Sequence, residues 1–313
     1  MTSCSLATTP LPPGIMLLIE DCPATPDEEN KMKDTLFQEA LGLLMWLQVA
    51  TRPDLAFSVN ILAHFAYNPG KAHWNALKHI LAYVKGTKHY RITYKGGSSL
   101  EPIGYIDSNY ACCRDTRQST KGNIFLVAGG PISWECKRQD TVALFTVEAE
   151  FMAFLKVTTQ ALWMSKYFHE VGLPVNKPLT ICADNSGSIA NSTTEKNHQC
   201  TKYIDTWYHF IKEHVKLGNV RFQYIPTTEN TADLLTKPLP RDTLWKFINY
   251  LELNTKPMNA SVQGSIEVGL MHIGRTAGMD TSVIPCTDTP SWYATSPFLS
   301  VTTRQLALFY ICI

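Results

Sequence analysis

Four carboxylates stand where the ends of strands and helices can gather them. Asp107 falls within Gly104-Tyr-Ile-Asp-Ser108, Glu150 within Thr146-Val-Glu-Ala-Glu-Phe-Met152, Asp184 within Cys182-Ala-Asp-Asn-Ser186, and Asp233 closes Glu229-Asn-Thr-Ala-Asp233. An Asp at the end of a strand is ordinarily a turn residue or a helix cap. Four acids, each at an element end of one small fold, ask for more. Carboxylates a few ångströms apart repel and raise one another's pKa, so their convergence calls for a cation. Hard oxygen donors suit magnesium or manganese, and the chain has no Cys-x-x-Cys pair or His-Glu-x-x-His motif for zinc. Two such ions roughly 3.5–4 Å apart activate water and stabilise the leaving oxygen of an in-line displacement at phosphorus. The chemistry expected of the quartet is phosphodiester hydrolysis. Glu148 competes with Glu150 for the helical position. Two residues on a helix are roughly 200° apart, so only one of the pair faces a given site, and spacing alone does not choose.

A second signal is electrostatic. Lys71, Lys78, Lys85, Lys88, Arg91 and Lys95 follow one another with no Asp or Glu between them, and His73, His79 and His89 lie in the same stretch. The plain reading is a solvated helix face. The sharper one is a phosphate-contacting surface, because Lys and Arg release counterions from a nucleic-acid backbone without reading bases.

These residues need elements to position them. Residues 1–34 hold Pro10, Pro12, Pro13, Pro23 and Pro26 with an acidic cluster at Asp27, Glu28 and Glu29, which predicts an extended lead-in. Over 35–95 the apolar spacing is helical, in three runs broken at Arg52-Pro53 and Pro69-Gly70 and stopped at Gly86. After Gly96-Gly97 the period turns strand-like, which places a boundary near 96–100. Strands are expected over about 103–110, 122–128, 132–137, 179–183 and 220–225, and helices over about 147–171, 186–192, 204–217 and from 231 onward. That order predicts an α/β fold, a mixed sheet with helices packed on it. Residues 254–313 turn Thr- and Ser-rich, and weak structure is expected there.

The chain has 313 residues, 45% of them hydrophobic and 18% charged, enough for one medium or two small cores. This composition excludes a long disordered chain and a collagen-like fibre. With 28 Lys+Arg against 27 Asp+Glu, the formal charge of +1 recruits no polyanion by itself, so local clustering must do so. Nine cysteines, an odd number, read as reduced thiols in an intracellular protein, in the cytoplasm or the nucleus and not secreted. The apolar runs at 15–19 and 306–313 are too short to span a bilayer, and no membrane partner is expected.

The runs Ala50-Thr-Arg-Pro-Asp-Leu-Ala-Phe57, Lys71-Ala-His-Trp74 and Leu81-Ala-Tyr-Val-Lys-Gly-Thr87 resemble the end of a copia-type retrotransposon reverse transcriptase. Gly104-Tyr-Ile-Asp107, Gln118-Ser-Thr-Lys-Gly122, Pro131-Ile-Ser-Trp134, Glu148-Ala-Glu-Phe-Met-Ala153, Asp184-Asn-Ser186, Tyr208-His-Phe210 and Ala232-Asp-Leu-Leu-Thr-Lys-Pro-Leu239 resemble the ribonuclease H domain of the same family, in the same order. The resemblance spans roughly residues 35–253. It implies a ribonuclease H-like mixed five-stranded sheet over 96–253, preceded by a helical remnant of the reverse transcriptase over 35–95. It also implies metal-dependent cleavage of the RNA strand of RNA–DNA hybrids by two Mg2+ or Mn2+ ions, held by Asp107, Glu150, Asp184 and Asp233. Glu150 is preferred to Glu148 because the family's metal-binding Glu is the second of its Glu-Ala-Glu.

The resemblance further implies that Lys71, Lys78, Lys85, Lys88 and Arg91 form a hybrid-binding face, and that Ser119 and Lys121 touch the hybrid backbone. His209 is read as a packing residue. The expected partners are the hybrid and the polymerase part of the parent polyprotein. The Tyr-x-Asp-Asp hallmark of a polymerase centre has only a look-alike in Tyr105-Ile-Asp-Ser108, so no polymerase active site is expected. The alternative is an inactive nucleic-acid-binding relic that keeps the fold without cutting. An integrase core shares the acids, but its decisive Glu follows two Asp residues, whereas here the Glu falls between the first and second.

Overall fold

In the computed structural model, which describes residues 5–95, 97–143, 146–173, 175–193, 202–253 and 266–268, the N-terminal segment departs from the expected extended form. Asp27, Glu28 and Glu29 make the first turn of helix α1 (Pro26–Lys33). The Thr25 hydroxyl accepts from the Glu28 N–H, the Glu28 carboxylate accepts from the Ala24 N–H at 3.0 Å, and Pro26 takes the first helical position. The acidic cluster is therefore a capping box at the positive end of a helix dipole. Upstream of it, Leu11 is buried in the core.

Three helices follow with the predicted breaks: α2 (Phe37–Ala50), α3 (Ala56–Ala63) and α4 (Lys71–Gly86). The corner between α2 and α3 carries a fully buried ion pair. Arg52 donates from Nε to Asp54 Oδ1 at 2.8 Å and from Nη2 to Asp54 Oδ2 at 2.7 Å. The guanidinium also donates to the Thr87 carbonyl, and the Tyr83 hydroxyl donates to Asp54 at 2.8 Å. A buried pair persists only when its remaining donors and acceptors are satisfied, and this one ties the corner to the end of α4. The Ala50–Phe57 motif is thus a structural joint.

Strand β1 (Ile92–Tyr94) pairs antiparallel with Ile266–Val268, outside the main sheet. The main sheet comprises β2 (Ile103–Asn109), β3 (Thr120–Val127), β4 (Gly130–Arg138), β5 (Leu179–Ala183) and β6 (Val220–Tyr224) in the order β4-β3-β2-β5-β6. β2, β3 and β4 are antiparallel neighbours, while β2, β5 and β6 run parallel. Helix α5 (Thr146–Glu170) links β4 to β5, and α6 (Ser186–Thr193) and α7 (Lys202–Lys216) link β5 to β6. The ribonuclease H-like mixed sheet expected of residues 96–253 is present.

One expected element differs. Asp233 does not begin a helix; it lies in a 3-10 turn over Thr231–Leu235, and α8 (Arg241–Tyr250) starts only afterwards. Pro238 and Pro240 lack the N–H groups that a helix continuing from Thr231 would need. The weakly structured tail expected over 254–313 lies outside the described residues, apart from 266–268.

Alternation along the strands divides the apolar side chains between two cores. Ile106, Phe125 and Val127 join Phe151, Phe154, Val157 and Met164 of α5. Tyr105, Ile124, Leu126 and Trp134 face the other way, into a core shared with Leu41, Leu55, Val59, Leu77 and Ile80 of the helical segment and with Leu244 and Phe247 of α8. The Trp134 indole N–H donates to the Gln48 carbonyl at 2.9 Å, and Asn60 donates to the Cys136 carbonyl at 3.1 Å. The boundary near 96–100 separates kinds of element but not separate cores.

Candidate metal centre

The topology explains why three aspartates far apart in sequence meet, with Glu150 near them. β2 and β5 are parallel neighbours with Tyr105 opposite Cys182. Two residues further along each strand come Asp107 and Asp184, which therefore leave the sheet side by side at its carboxyl edge. β4 runs in the same sense, so α5 starts from that edge and carries Glu150 in its second turn. β6 ends there too, and the chain turns back through Thr231–Leu235 to bring Asp233 against β2. Ligands of α/β sheets gather outside the carboxyl ends of parallel strands for this reason.

One carboxylate oxygen from each of Asp107, Asp184 and Asp233 lies within 4.8 Å of the others. Asp107 and Asp233 are buried and Asp184 is half-buried. Burial first, then the charges of Asp107 and Asp184, push the Glu150 carboxyl up to about 8, against a hydrogen bond from Asn185. Burial and the neighbouring Asp107 push Asp233 up to about 7. Glu150, the second of the two competing glutamates, thus lies within electrostatic reach of Asp107 and Asp184.

Polar neighbours fix the carboxylates. Thr227 Oγ1 donates to Asp184 Oδ2 at 2.7 Å, and Asn230 Nδ2 donates to Asp184 Oδ1 at 3.3 Å and to the Ile106 carbonyl at 2.9 Å. The Thr236 hydroxyl donates to Asp107. Lys237 places its ammonium 2.9 Å from Asp233 Oδ1 and 3.6 Å from Asp107 Oδ2. Burial works against its charge, but Asp107 and Asp233 outweigh that and hold its pKa above the ordinary lysine value. Hard oxygens oriented by donors, with a cationic group already seated among them, fit a divalent metal.

Gly122 makes room for this arrangement. It sits opposite Asp107 on β3, and a Cβ there would come within 2.7 Å of the Leu235 Cβ and 2.8 Å of the Thr236 Cγ2. The turn bearing Asp233, Thr236 and Lys237 therefore lies directly on the strand.

The residues expected to bind nucleic acid are spread more widely. Lys71, Lys78 and Lys85 recur every seven residues on α4, so they share one face, and all three are exposed, as is Lys88. Arg91 is half-buried just before β1. Ser119 is corrected by the structure: it is fully buried and accepts from the Ala111 N–H at 3.0 Å, so its hydroxyl shapes the β2–β3 loop. Lys121 is half-buried on β3, and burial lowers its pKa. Within the basic stretch, His73 is buried, accepts from the Gly70 N–H at 2.9 Å and stacks on Phe65. His209 is exposed on α7, contrary to its reading as a packing residue.

Thr227, Asn230, Thr236 and Lys237 escaped the reading of the sequence. Thr236 and Lys237 stand three and four residues after Asp233, the spacing that returns a side chain to the same face of a turn. That spacing was the available signal for them. For Thr227 and Asn230 the chain offers none, because their partner Asp184 is more than forty residues away.

Compared with known proteins, the chain matches no family model. It is 38% identical over 242 residues to the retrovirus-related Pol polyprotein from transposon TNT 1-94 of Nicotiana tabacum, a match covering 77% of this chain and 18% of that protein. It is 34% identical over 219 residues to the Pol polyprotein from transposon RE2 of Arabidopsis thaliana, covering 70% of this chain and 15% of that one. The chain thus spans less than a fifth of the length of these relatives. Among solved structures, LC11-RNase H1 isolated from compost aligns over 47% of this chain and 97% of its own, at 16% identity and a TM-score of 0.34.

Proposed function

The chain belongs to the copia-type retrotransposon Pol family, as the end of the reverse transcriptase together with the ribonuclease H domain, and from that membership we propose that it is a metal-dependent endonuclease cutting the RNA strand of RNA–DNA hybrids. The observation that carries the reading is the meeting of three aspartate oxygens within 4.8 Å, with Glu150 at the same sheet edge. Asp107, Asp184, Asp233 and Glu150 hold Mg2+ or Mn2+. Two such ions supply activation of water and stabilisation of the leaving oxygen in an in-line displacement. Thr227, Asn230 and Thr236 keep the carboxylates aimed, so that little reorganisation is needed when charge develops on the phosphate. The exposed lysines of α4 hold the hybrid backbone, which carries no sequence information and suits an enzyme that cuts irrespective of sequence.

The full chain is the right material for the test, because the helical segment and the sheet share a core. With Mg2+ and an end-labelled RNA–DNA hybrid, the wild type is expected to cut the RNA strand internally. Asp107→Asn should lower the rate by roughly a thousandfold, the several kcal/mol that metal assistance supplies, with its circular dichroism unchanged. A folded wild type that binds the hybrid and leaves it intact would instead be the inactive relic. Binding has its own check. Replacing Lys78 and Lys85 with Ala should flatten the plot of log affinity against log salt by about one to two units, and an unchanged slope would make that helix face merely solvated.

A further inference from the structure

The basic group inside the acidic cluster has no part in the reading above. Lys237 follows the 3-10 turn, and its backbone position is fixed on both sides. Asn109 at the end of β2 donates to the Thr236 carbonyl at 3.2 Å, and Pro238 comes next in the chain. From there the side chain reaches inward. Its ammonium contacts Asp233 Oδ1 at 2.9 Å and Asp107 Oδ2 at 3.6 Å, with the side chain only 34% exposed. Asp107 and Asp233 are also two of the three residues whose oxygens converge within 4.8 Å.

We propose that Lys237 is a resident counter-cation that occupies the acidic cluster when no metal is bound and must withdraw before Asp107 and Asp233 can coordinate together. The inference rests on the reading of these carboxylates as metal ligands. Its physical basis is competition. An ammonium and a divalent cation placed a few ångströms apart in a partly desolvated site repel strongly, so the two exclude one another. In the empty site Lys237 relieves the mutual repulsion of the carboxylates and so supports the fold. The same contacts set a lower affinity for metal than the carboxylates alone would have. Coupling of this kind is reciprocal, so whatever draws the ammonium away tightens metal binding by the same free energy.

The test is a titration of the full chain with Mn2+, following free Mn2+ by electron paramagnetic resonance, together with thermal unfolding in the absence of metal. Lys237→Met keeps the aliphatic stem and removes the charge. It should bind Mn2+ about tenfold or more tightly than wild type and unfold at a lower temperature without metal, the difference closing as Mn2+ is added. Lys237→Arg keeps the charge and should bind Mn2+ no more tightly than wild type. If Lys237→Met does not fold without metal, Lys237→Gln carries the same expectation. An affinity equal to or weaker than wild type in whichever neutral variant folds overturns the inference. Asp107→Asn separates this failure from failure of the underlying reading. If that change leaves Mn2+ binding untouched, the carboxylates are not the ligands. If it abolishes binding while the neutral variants gain nothing, only the counter-cation inference falls.

Discussion

Glu150 and Asp233 hold their protons more tightly in the fold than an unfolded chain would, with pKa values of about 8 and about 7, chiefly because of burial and the neighbouring aspartates. A carboxyl whose folded pKa lies above its unfolded value binds more protons folded than unfolded in the interval between them. Stability therefore falls as pH rises through that interval. The metal-free protein should lose thermal stability between about pH 5 and pH 8, and saturating Mg2+ should restore most at the alkaline end, where the carboxylates are charged. Melting curves across this range, with EDTA and with Mg2+, check it; a metal-free profile that is flat or rises with pH contradicts it. The four acids were legible as residue types; between Glu150 and Glu148 the family resemblance chose, while the spacing of the residues did not. A turn of roughly 200° says that the two diverge, and the position of α5 against β2 and β5 brings Glu150 towards the aspartates. Lys237 was harder still to read, since a lysine beside an aspartate in sequence is usually a surface pair.

The turn over Thr231–Leu235 can lie on β3 only because position 122 has no side chain. Gly122→Ala would drive a methyl group into Leu235 and Thr236, which have to move, and Asp233 and Lys237 travel with them. The expected outcome is a destabilisation of about 1–3 kcal/mol, typical of overpacking, with weaker Mn2+ affinity. Wild-type values of both in the variant would show that the turn is not held by this contact. Most elements were legible because their signals are clean: the apolar run Ile124-Phe-Leu-Val127 in β3, which is buried on both faces, and the helical apolar spacing of α4. Two were misread for different reasons. Thr25-Pro-Asp-Glu28 spells a helix start in the sequence, yet the density of prolines around it suggested extended chain. The segment after Thr231 carries helix-like spacing, but Pro238 and Pro240 end it within a turn and a half.

Across the molecule, the sheet lies between α5 on one face and the helical segment with α8 on the other. That segment was legible as helices, but not as the cover of the sheet, because periodicity tells which face of an element is apolar and not what it packs against. The contact of Trp134 with Gln48 and the shared core pack the helical segment and the ribonuclease H-like sheet against one another. This whole arrangement converges on the carboxyl edge of β2, β4, β5 and β6, where the acids meet. Anomalous diffraction from crystals soaked in Mn2+ tests the convergence most directly. The expected result is a peak about 2.1–2.2 Å from carboxylate oxygens of Asp107 and at least one of Asp184, Asp233 and Glu150, absent in Asp107→Asn. Density for Mn2+ elsewhere on the molecule, with Lys237 still seated between Asp107 and Asp233, would contradict the account.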